Sequence, residues 1–239
     1  RHLSAAAIDD PGTIEVDDAL SLRAVGDRRE LLVHIADVAA ALPAGTPLDS
    51  AARARATSLY LPDGIETMLP RTLVTSVLSL DAGRDRAAVT AVFSLDDAGL
   101  PVLPPRFVRS HIRVDRALSY VDADRAEALG ARGEELLTLG ERLARARRER
   151  GAVTVDLDQA KITLMDGRPR VGTRHQGTPS DRLVAECMVL VNGAVADALV
   201  AAGRPALYRV QEPPRYTVSA DDESDEARDA PGDDDHDDG

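Results

Sequence analysis

The chain has 239 residues, of which 44% are hydrophobic and 3% aromatic, and it has no tryptophan. This length accommodates one large domain or two small ones, with a core built from Ala, Val and Leu. The single cysteine, Cys187, excludes a disulfide framework and a thiolate zinc cluster, and it favours a reducing, cytoplasmic location. The most apolar stretch, 183–202, is interrupted by Glu186, Asn192 and Asp197, so we predict a buried helix of a soluble protein with no membrane partner.

The formal charge of −12 is distributed unevenly along the chain. Residues 221–239 contain eleven acidic residues and one arginine, so the rest of the chain has a net charge of only −2. We therefore expect one nearly neutral folded domain over residues 1–216 and a disordered acidic tail over 217–239. The tail is either a regulatory arm or a solubilising end.

The pattern of apolar residues predicts an α+β fold. A first pair of strands is expected at 13–22 and 30–36, with a hairpin connection at Gly26 and Asp27. A second pair is expected at 87–95 and 101–112, followed along the chain by further elements. Helices are expected at 49–56, 133–150 and 180–200, and short strands at 153–157, 161–164 and 206–210. Ser180 is the expected N-cap of the last helix.

Five carboxylates fall within ten residues near the N-terminus, in the segment 9–18. Glu15 and Asp17 are two residues apart on the predicted strand and therefore point to the same face of it. Pro11 and Gly12 provide a turn that folds Asp9 back toward them. Three or four acids are thus expected to converge on one point.

Such a cluster needs compensation, because two like charges 4 Å apart repel by roughly 4 kcal/mol at an effective dielectric constant of 20. A divalent cation compensates this most simply, and all-oxygen ligands favour Mg²⁺ or Mn²⁺ over zinc and suit phosphoryl chemistry. The alternative is a solvated acidic turn, which is the more common meaning of an acidic string. Pro11 at the third position excludes an EF-hand, and the sequence has no Gly-x-Ser-x-Gly motif of a serine hydrolase.

Several motifs, in order, resemble the ribonuclease II/R (RNB) family of 3′-to-5′ exoribonucleases. They are AIDDPGTIEVDDALSL at 7–22, HIADVAAAL at 34–42, LDSAARARATSLYLPDGIETMLPRTL at 48–73, VLSLDAGRDRAAVTAVFSLDDAGLP at 77–101, IRVDRALSYVDAD at 112–124, RLVAECMVLVNGAVADAL at 182–199 and PALYRVQEPP at 205–214. Together they extend over residues 5–215. The resemblance implies an RNB-type catalytic fold, with a mixed or antiparallel sheet flanked by helices, incomplete on its C-terminal side.

By this resemblance, four acids surround one or two Mg²⁺ ions, with Mn²⁺ as the alternative ion. They are Asp9, Glu15, Asp17 and Asp18, and Asp9, Asp17 and Asp18 are also assigned as catalytic. Glu15 departs from the aspartate that is commoner in the family at its position. Its extra methylene displaces the carboxylate by about a bond length, which a bridging water absorbs or which alters the metal geometry.

The resemblance also implies that Tyr60 and Glu186 position the terminal nucleotide, with the tyrosine ring beside a base. The alternatives are a half-buried core tyrosine and a surface glutamate. Because a carboxylate on an apolar helix is costly unless it is paired, Glu186 is expected to face a polar cavity. Asp37 either supports the metal site from outside or caps a helix, and His34 and His175 are assigned no role.

Two parts of the family pattern have no counterpart. One is a Ser-Pro-x-Arg-Arg-Tyr-like motif whose arginine contacts the scissile phosphate, although Arg215 and Tyr216 stand near its place. The other is the flanking OB-type RNA-binding domains, for which the arginines of helix 133–150 offer either a phosphate-facing surface or simply a solvated helix face. The arginines are Arg142, Arg145, Arg147, Arg148 and Arg150.

Three hypotheses follow from the sequence, and the third is a truncated chain with no independent function. The first is an Mg²⁺-dependent 3′-to-5′ exoribonuclease that hydrolyses single-stranded RNA to nucleoside 5′-monophosphates. The second is a catalytically silent RNB-like module that binds RNA or a protein, with the acidic tail as a regulatory arm.

Overall fold

A computed structural model describes residues 3–154, 158–165, 168–174 and 177–210. The strands are β1 (Ala6–Ile8), β2 (Asp18–Val25), β3 (Arg28–Ala36), β4 (Leu59–Leu61), β5 (Gly64–Glu66), β6 (Asp85–Leu95), β7 (Arg106–Arg113), β8 (Arg116–Leu118), β9 (Gln159–Met165) and β10 (Arg168–Arg174). The helices are α1 (Val38–Ala41), α2 (Pro47–Arg55), α3 (Arg71–Leu73), α4 (Tyr120–Ala123), α5 (Gly133–Glu149) and α6 (Pro179–Ala201). A π-helical turn (Val74–Leu78) continues α3, and a 3₁₀ turn (Ala126–Leu129) precedes α5.

The central element is a six-stranded sheet in the order β7-β6-β3-β2-β1-β8. Its neighbours run antiparallel, except that β1 and β8 are parallel. The pairs β9–β10 and β4–β5 form separate two-stranded sheets. The mixed α and β content that the sequence predicts is therefore confirmed.

Helices α5 and α6 cover one face of the central sheet. Alternation along β2 places Leu20 and Leu22 on this face and Ser21 on the other. The shared core contains Leu31, Val33, Phe93, Leu136, Leu139, Leu143, Leu183, Cys187 and Val191 as well. A Cβ at Gly140 of α5 would lie 2.7 Å from the Cα of Leu183, so only glycine permits this close approach of the two helices.

A polar chain crosses the opposite face of the sheet. The imidazole of His34 contacts the hydroxyl of Ser21 through Nε2 at 3.0 Å and the hydroxyl of Thr90 through Nδ1 at 2.8 Å. The Thr90 hydroxyl is 2.6 Å from that of Ser110. His34 is 2% exposed, and burial, followed by the charge of Arg23, lowers its pKa to about 4. His34 is thus a neutral structural residue.

Strand β7 stands at one edge of the sheet, next to β6. It has three exposed arginines, Arg106, Arg109 and Arg113. Arg109 pairs with Asp37 at 3.0 Å, and Arg113 pairs with Asp85 at 2.8 Å.

Several predicted elements are confirmed within two residues, namely β3, β6, α2, α5 and α6. Four predictions are wrong. The strand predicted at 101–112 begins only at Arg106. Strand β2 begins at Asp18, so residues 13–17 are irregular, and residues 206–210 are not in a strand. The N-cap of α6 is Thr178, whose hydroxyl accepts from the N–H of Asp181, while Ser180 is fully buried and its hydroxyl donates to the carbonyl of Tyr120. Part of the predicted strand 153–157 lies outside the described residues. The whole tail 217–239 also lies outside them, as do Arg215, Tyr216 and His175.

Helix α6 is long and apolar enough, by length and composition alone, to cross a membrane. The core helix of a soluble protein has the same properties. Leu183, Cys187 and Val191 on one face of α6 are buried in the core, and 33% of the most apolar window of the helix is buried.

Candidate metal centre and nucleotide site

The turn at Pro11 and Gly12 brings Asp9 back toward the acids that follow it. Gly12 has a φ of +88°, which only glycine adopts readily, and the N–H of Thr13 donates to the carbonyl of Asp10. The carboxylate of Asp9 then accepts from the Thr13 hydroxyl at 2.9 Å. The turn predicted from the sequence is therefore present, and it fixes the orientation of Asp9.

The β4–β5 hairpin and the residue before it hold the carboxylate of Glu15, which lies in the irregular segment before β2. Its Oε1 accepts from the hydroxyl of Ser58 at 3.1 Å, and its Oε2 accepts from the hydroxyl of Tyr60 at 2.9 Å. Ser58 in turn accepts from the N–H of Met68 across the hairpin. The longer side chain of Glu15 is therefore used to reach the hairpin.

Tyr60 is 64% exposed, so the interpretation of a half-buried core tyrosine is wrong. Its pKa is raised to about 12 by partial burial, by its hydrogen bond to Glu15 and by the charges of Glu15, Asp17 and Asp9. The structure thus places an open aromatic ring beside the acids, with its hydroxyl tied to one of them.

The pKa values of Asp17 and Asp18 are both raised by burial and by neighbouring acids. Burial, followed by the negative charges of Asp9 and Asp17, raises the pKa of Asp18 to about 6. Burial and then the charges of Glu15 and Asp9 raise the pKa of Asp17. The charge of Asp9 therefore acts on both Asp17 and Asp18, and the charge of Glu15 acts on Asp17.

These acids do not converge on one point as the sequence predicted. Within the part of the chain that the structure describes, no group of three or more His, Cys, Asp or Glu side chains is arranged to hold an ion. Mg²⁺ is usually bound by one or two carboxylates and completes its octahedron with waters and substrate phosphates. Asp17 and Asp18 offer carboxylates of this kind, whereas Glu15 already binds Ser58 and Tyr60, so the four acids as they stand do not form a complete ligand set.

Glu186 is buried, so the interpretation as a surface residue is wrong. Both of its carboxylate oxygens accept from Arg147 of α5, with N–O distances of 2.8 to 3.1 Å. The pair lines a cleft of about 320 Å³, together with Tyr120, Arg148 and Arg182. Glu186 therefore faces a polar cavity, as predicted, with its charge compensated by an arginine.

The thiol of Cys187 is affected by a carboxylate of this cleft and by one of the N-terminal acids. Burial, followed by the charges of Asp18 and Glu186, raises the pKa of its thiol. The thiol thus lies within the electrostatic reach of both carboxylates.

Four of the five arginines on and directly after α5 are exposed, namely Arg142, Arg145, Arg148 and Arg150. Arg142 also donates to the carbonyl of Ala98 at 2.8 Å, and Arg147 pairs with Glu186. Arg148 lines the cleft beside Glu186. A phosphate-facing surface and a solvated helix face both stay predictions.

Asp37 is the N-cap of α1. Its carboxylate accepts from the N–H of Ala40 and pairs with Arg109, both at 3.0 Å. Of the two roles considered for Asp37, the capping role is the one that the structure contains.

Sequence analysis missed the contacts that hold the segment between Glu15 and Asp17. The N–H of Val16 donates to the hydroxyl of Ser79 at 3.1 Å, and the N–H of Leu80 donates to the carbonyl of Val16 at 2.9 Å. Val16 and Ser79 are 63 positions apart in the sequence, so no local pattern could have linked them.

Comparison with known proteins gives consistent matches. An uncharacterized ribonuclease of Synechocystis is 32% identical over 220 residues, which cover 89% of this chain and 32% of that protein. Ribonuclease R of Thermotoga maritima is 32% identical over 227 residues, which cover 90% of this chain and 32% of that protein. Mycoplasma genitalium RNase R, solved in complex with ribose-methylated single-stranded RNA, shares the fold with a TM-score of 0.77 at 21% identity, over 84% of this chain and 33% of that one.

The chain spans about a third of the length of these relatives. The family model of the RNB domain matches residues 1–225, which is most of the sequence. The chain therefore belongs to the RNB domain family.

Proposed function

We propose that this chain acts as an Mg²⁺-dependent 3′-to-5′ exoribonuclease in the cytoplasm and hydrolyses single-stranded RNA to nucleoside 5′-monophosphates. The observation that supports the proposal most is the juxtaposition of the acids with an exposed ring. Asp9, Asp17 and Asp18 interact electrostatically, and Glu15, next to them, binds the hydroxyl of Tyr60 at 2.9 Å. The named ribonuclease relatives support the same reaction class.

Asp9, Asp17 and Asp18 are the residues that would hold the ion. The charge of Asp9 raises the pKa of both Asp17 and Asp18, and carboxylate oxygens are the ligands that Mg²⁺ prefers. When bound, Mg²⁺ supplies Lewis acidity and charge neutralisation at the scissile phosphate. Asp9 enters this arrangement oriented by Thr13, so its approach to the ion costs little side-chain entropy.

Glu15 and Tyr60 act at the nucleotide. The two hydrogen bonds to Glu15 fix the hairpin that presents Tyr60, and an exposed aromatic ring stacks on a base whatever its identity. The ring therefore sets how far the 3′ end enters the site. We assign Glu186 to the same end of the substrate through the cleft that it lines, with Arg147 holding its carboxylate in place.

The reaction itself is the hydrolysis of the last phosphodiester bond. A water oxygen forms a bond to phosphorus, the bond from phosphorus to the O3′ of the penultimate nucleotide breaks, and that oxygen takes up a proton. The product is a nucleoside 5′-monophosphate and an RNA shorter by one residue.

The test uses 5′-labelled single-stranded RNA with the full chain in Mg²⁺ or in EDTA. We expect a ladder of shortened products in Mg²⁺ and none in EDTA. Asp17→Asn should abolish hydrolysis and leave RNA binding intact, whereas Asp97→Asn, an exposed acid of the β6–β7 loop, is the matched control. Turnover retained by Asp17→Asn refutes the assignment, and RNA binding without any metal-dependent product supports the silent module.

A further inference from the structure

The exposed face of the C-terminal half of α5 carries three arginines, Arg142, Arg145 and Arg148. They follow one another at intervals of three residues, so their side chains lie on successive turns with Cβ atoms about 5–6 Å apart. All three side chains are exposed. We call these three residues the arginine ridge. The ridge extends roughly 9 Å along the helix axis, at a rise of about 1.5 Å per residue.

No carboxylate neutralises the arginines of the ridge. Among the residues that the structure describes, Arg145 and Arg148 form no ion pair, and Arg142 donates only to a main-chain carbonyl, that of Ala98 at 2.8 Å. Many exposed arginines elsewhere do have a carboxylate partner, as in the pairs Arg53–Asp49, Arg113–Asp85 and Arg125–Asp122. The guanidinium groups of the ridge therefore keep hydrogen-bond donors and charge for a ligand.

Two acidic residues of α5 lie beside the ridge. The carboxylate of Glu141 is bound to Arg182 of α6, so its charge is compensated. Glu149, in the last turn, is exposed. Positive charge is therefore in excess on this face of the helix, although the chain as a whole is acidic.

The ridge begins at the cleft that contains Glu186. Arg148 lines this cleft of about 320 Å³. The other two arginines of the described lining, Arg147 and Arg182, are each bound to a glutamate. A negatively charged chain whose end lies in the cleft would therefore meet the free guanidinium of Arg148 first and the rest of the ridge outside the cleft.

We propose that the arginine ridge binds the phosphates of the RNA strand on the 5′ side of the nucleotide held in the cleft. The inference rests on the proposed function, since it takes the 3′-terminal nucleotide to lie beside Glu186. Every nucleotide of a single strand carries a phosphate, so a row of cations binds the strand whatever its sequence. The planar fork of a guanidinium suits this contact, because it donates two hydrogen bonds to one phosphate. The ridge thus holds the strand in place and reads no bases.

The experiment measures binding of a fluorescently labelled single-stranded dodecamer RNA to the full chain by anisotropy. EDTA is present so that no metal-dependent hydrolysis takes place, and each titration is repeated from about 50 to about 200 mM salt. The variants are Arg145→Gln and the double variant Arg145→Gln/Arg148→Gln. The matched control is Arg28→Gln/Arg150→Gln, which removes the same charge from two exposed arginines outside the ridge. Thermal unfolding of every variant is recorded beside the titrations.

We expect the double variant to bind the dodecamer more weakly at low salt and to respond less to added salt. Each phosphate contact of a single strand contributes about 0.7 to the slope of log K against log salt concentration, so the slope should fall by about 0.7 in Arg145→Gln and by about 1.4 in the double variant. Over this fourfold rise in salt, the wild type then loses about sevenfold more affinity than the double variant. The control should keep the slope of the wild type.

An unchanged slope in the double variant overturns the inference. So does an equal fall in the double variant and the control, because RNA would then respond to net charge and not to the ridge. Tighter RNA binding by the double variant also overturns it, and would indicate the acidic residues 221–239 as the occupant of the ridge. A wild type that neither binds nor hydrolyses single-stranded RNA refutes the proposed function as well, whereas hydrolysis in Mg²⁺ with an unchanged slope refutes the ridge alone.

Discussion

Breaking the buried pair of Arg147 and Glu186 tests whether the glutamate is mainly structural. Arg147→Met deletes three hydrogen bonds and leaves the carboxylate of Glu186 buried without its countercharge. Removing one partner of a fully buried pair costs about 3–5 kcal/mol. The side chain of Arg147 is 34% exposed, so water reaches the site and we reduce this to about 2 kcal/mol.

For a chain of this size, 2 kcal/mol corresponds to a decrease in Tm of about 4–8 °C. Urea unfolding followed by circular dichroism measures the free energy directly. Replacing both residues, with Arg147→Met and Glu186→Leu, should restore much of the lost stability, because no buried charge is then left unpaired. An Arg147→Met protein as stable as the wild type refutes this reasoning.

A substitution of Glu186 distinguishes a structural role of this residue from a role in substrate binding. Glu186→Gln retains the shape of the side chain and removes its charge. If Glu186 contacts the terminal nucleotide, this variant should lose RNA turnover beyond what Arg147→Met loses at matched folded fraction. If Glu186 only holds α5 against α6, activity should follow the folded fraction in both variants.

Three further predictions concern other parts of the molecule. Tyr60→Phe removes the hydrogen bond to Glu15 and should raise the KM for RNA about 2- to 10-fold with little change in Tm, because the ring is exposed; an unchanged KM would contradict the positioning role. Since His34 has a pKa of about 4 when folded and about 6.5 when unfolded, the unfolded chain binds a proton first, and stability should fall by about 3 kcal/mol as the pH drops from 7 to 4. Urea titrations that give parallel pH curves for wild type and His34→Gln would exclude this. Gly140→Ala places a Cβ 2.7 Å from the Cα of Leu183 and should cost about 1–3 kcal/mol in unfolding free energy, measured the same way; a neutral effect would show that α5 and α6 move apart freely.

The sequence predicted the elements whose pattern is local and long enough to detect. Strands β3 and β6 and the helices α5 and α6 have sustained apolar periodicity, and their bounds follow from it. Strands of three residues, such as β1 and β8, have no measurable period. Residues 13–17 contain Ile14 and Val16 and were predicted as a strand, but bonds to Ser79 and Leu80 hold them in an irregular conformation instead.

In the candidate site, too, the sequence predicts the local interactions and not the long-range ones. The spacing of Asp9, Asp17 and Asp18 suffices to predict their electrostatic coupling, since they lie within ten residues. The contact of Tyr60 with Glu15 joins positions 45 apart, and that of Arg147 with Glu186 joins positions 39 apart. Only the three-dimensional fold contains such long-range pairs, and a single sequence has no periodicity that reports them.

The arginines of β7 bear on whether a strand of another chain can pair with the edge of the central sheet. An edge strand offers backbone donors and acceptors to any second strand that can lie alongside it, including one from another copy of the chain. Arg106, Arg109 and Arg113 place bulky guanidinium groups on this edge strand, the last two paired with Asp37 and Asp85, and a second β7 would have to bring its own arginines against them. Replacing all three arginines with threonine would remove these bulky charged side chains and favour concentration-dependent self-association through the edge strand β7.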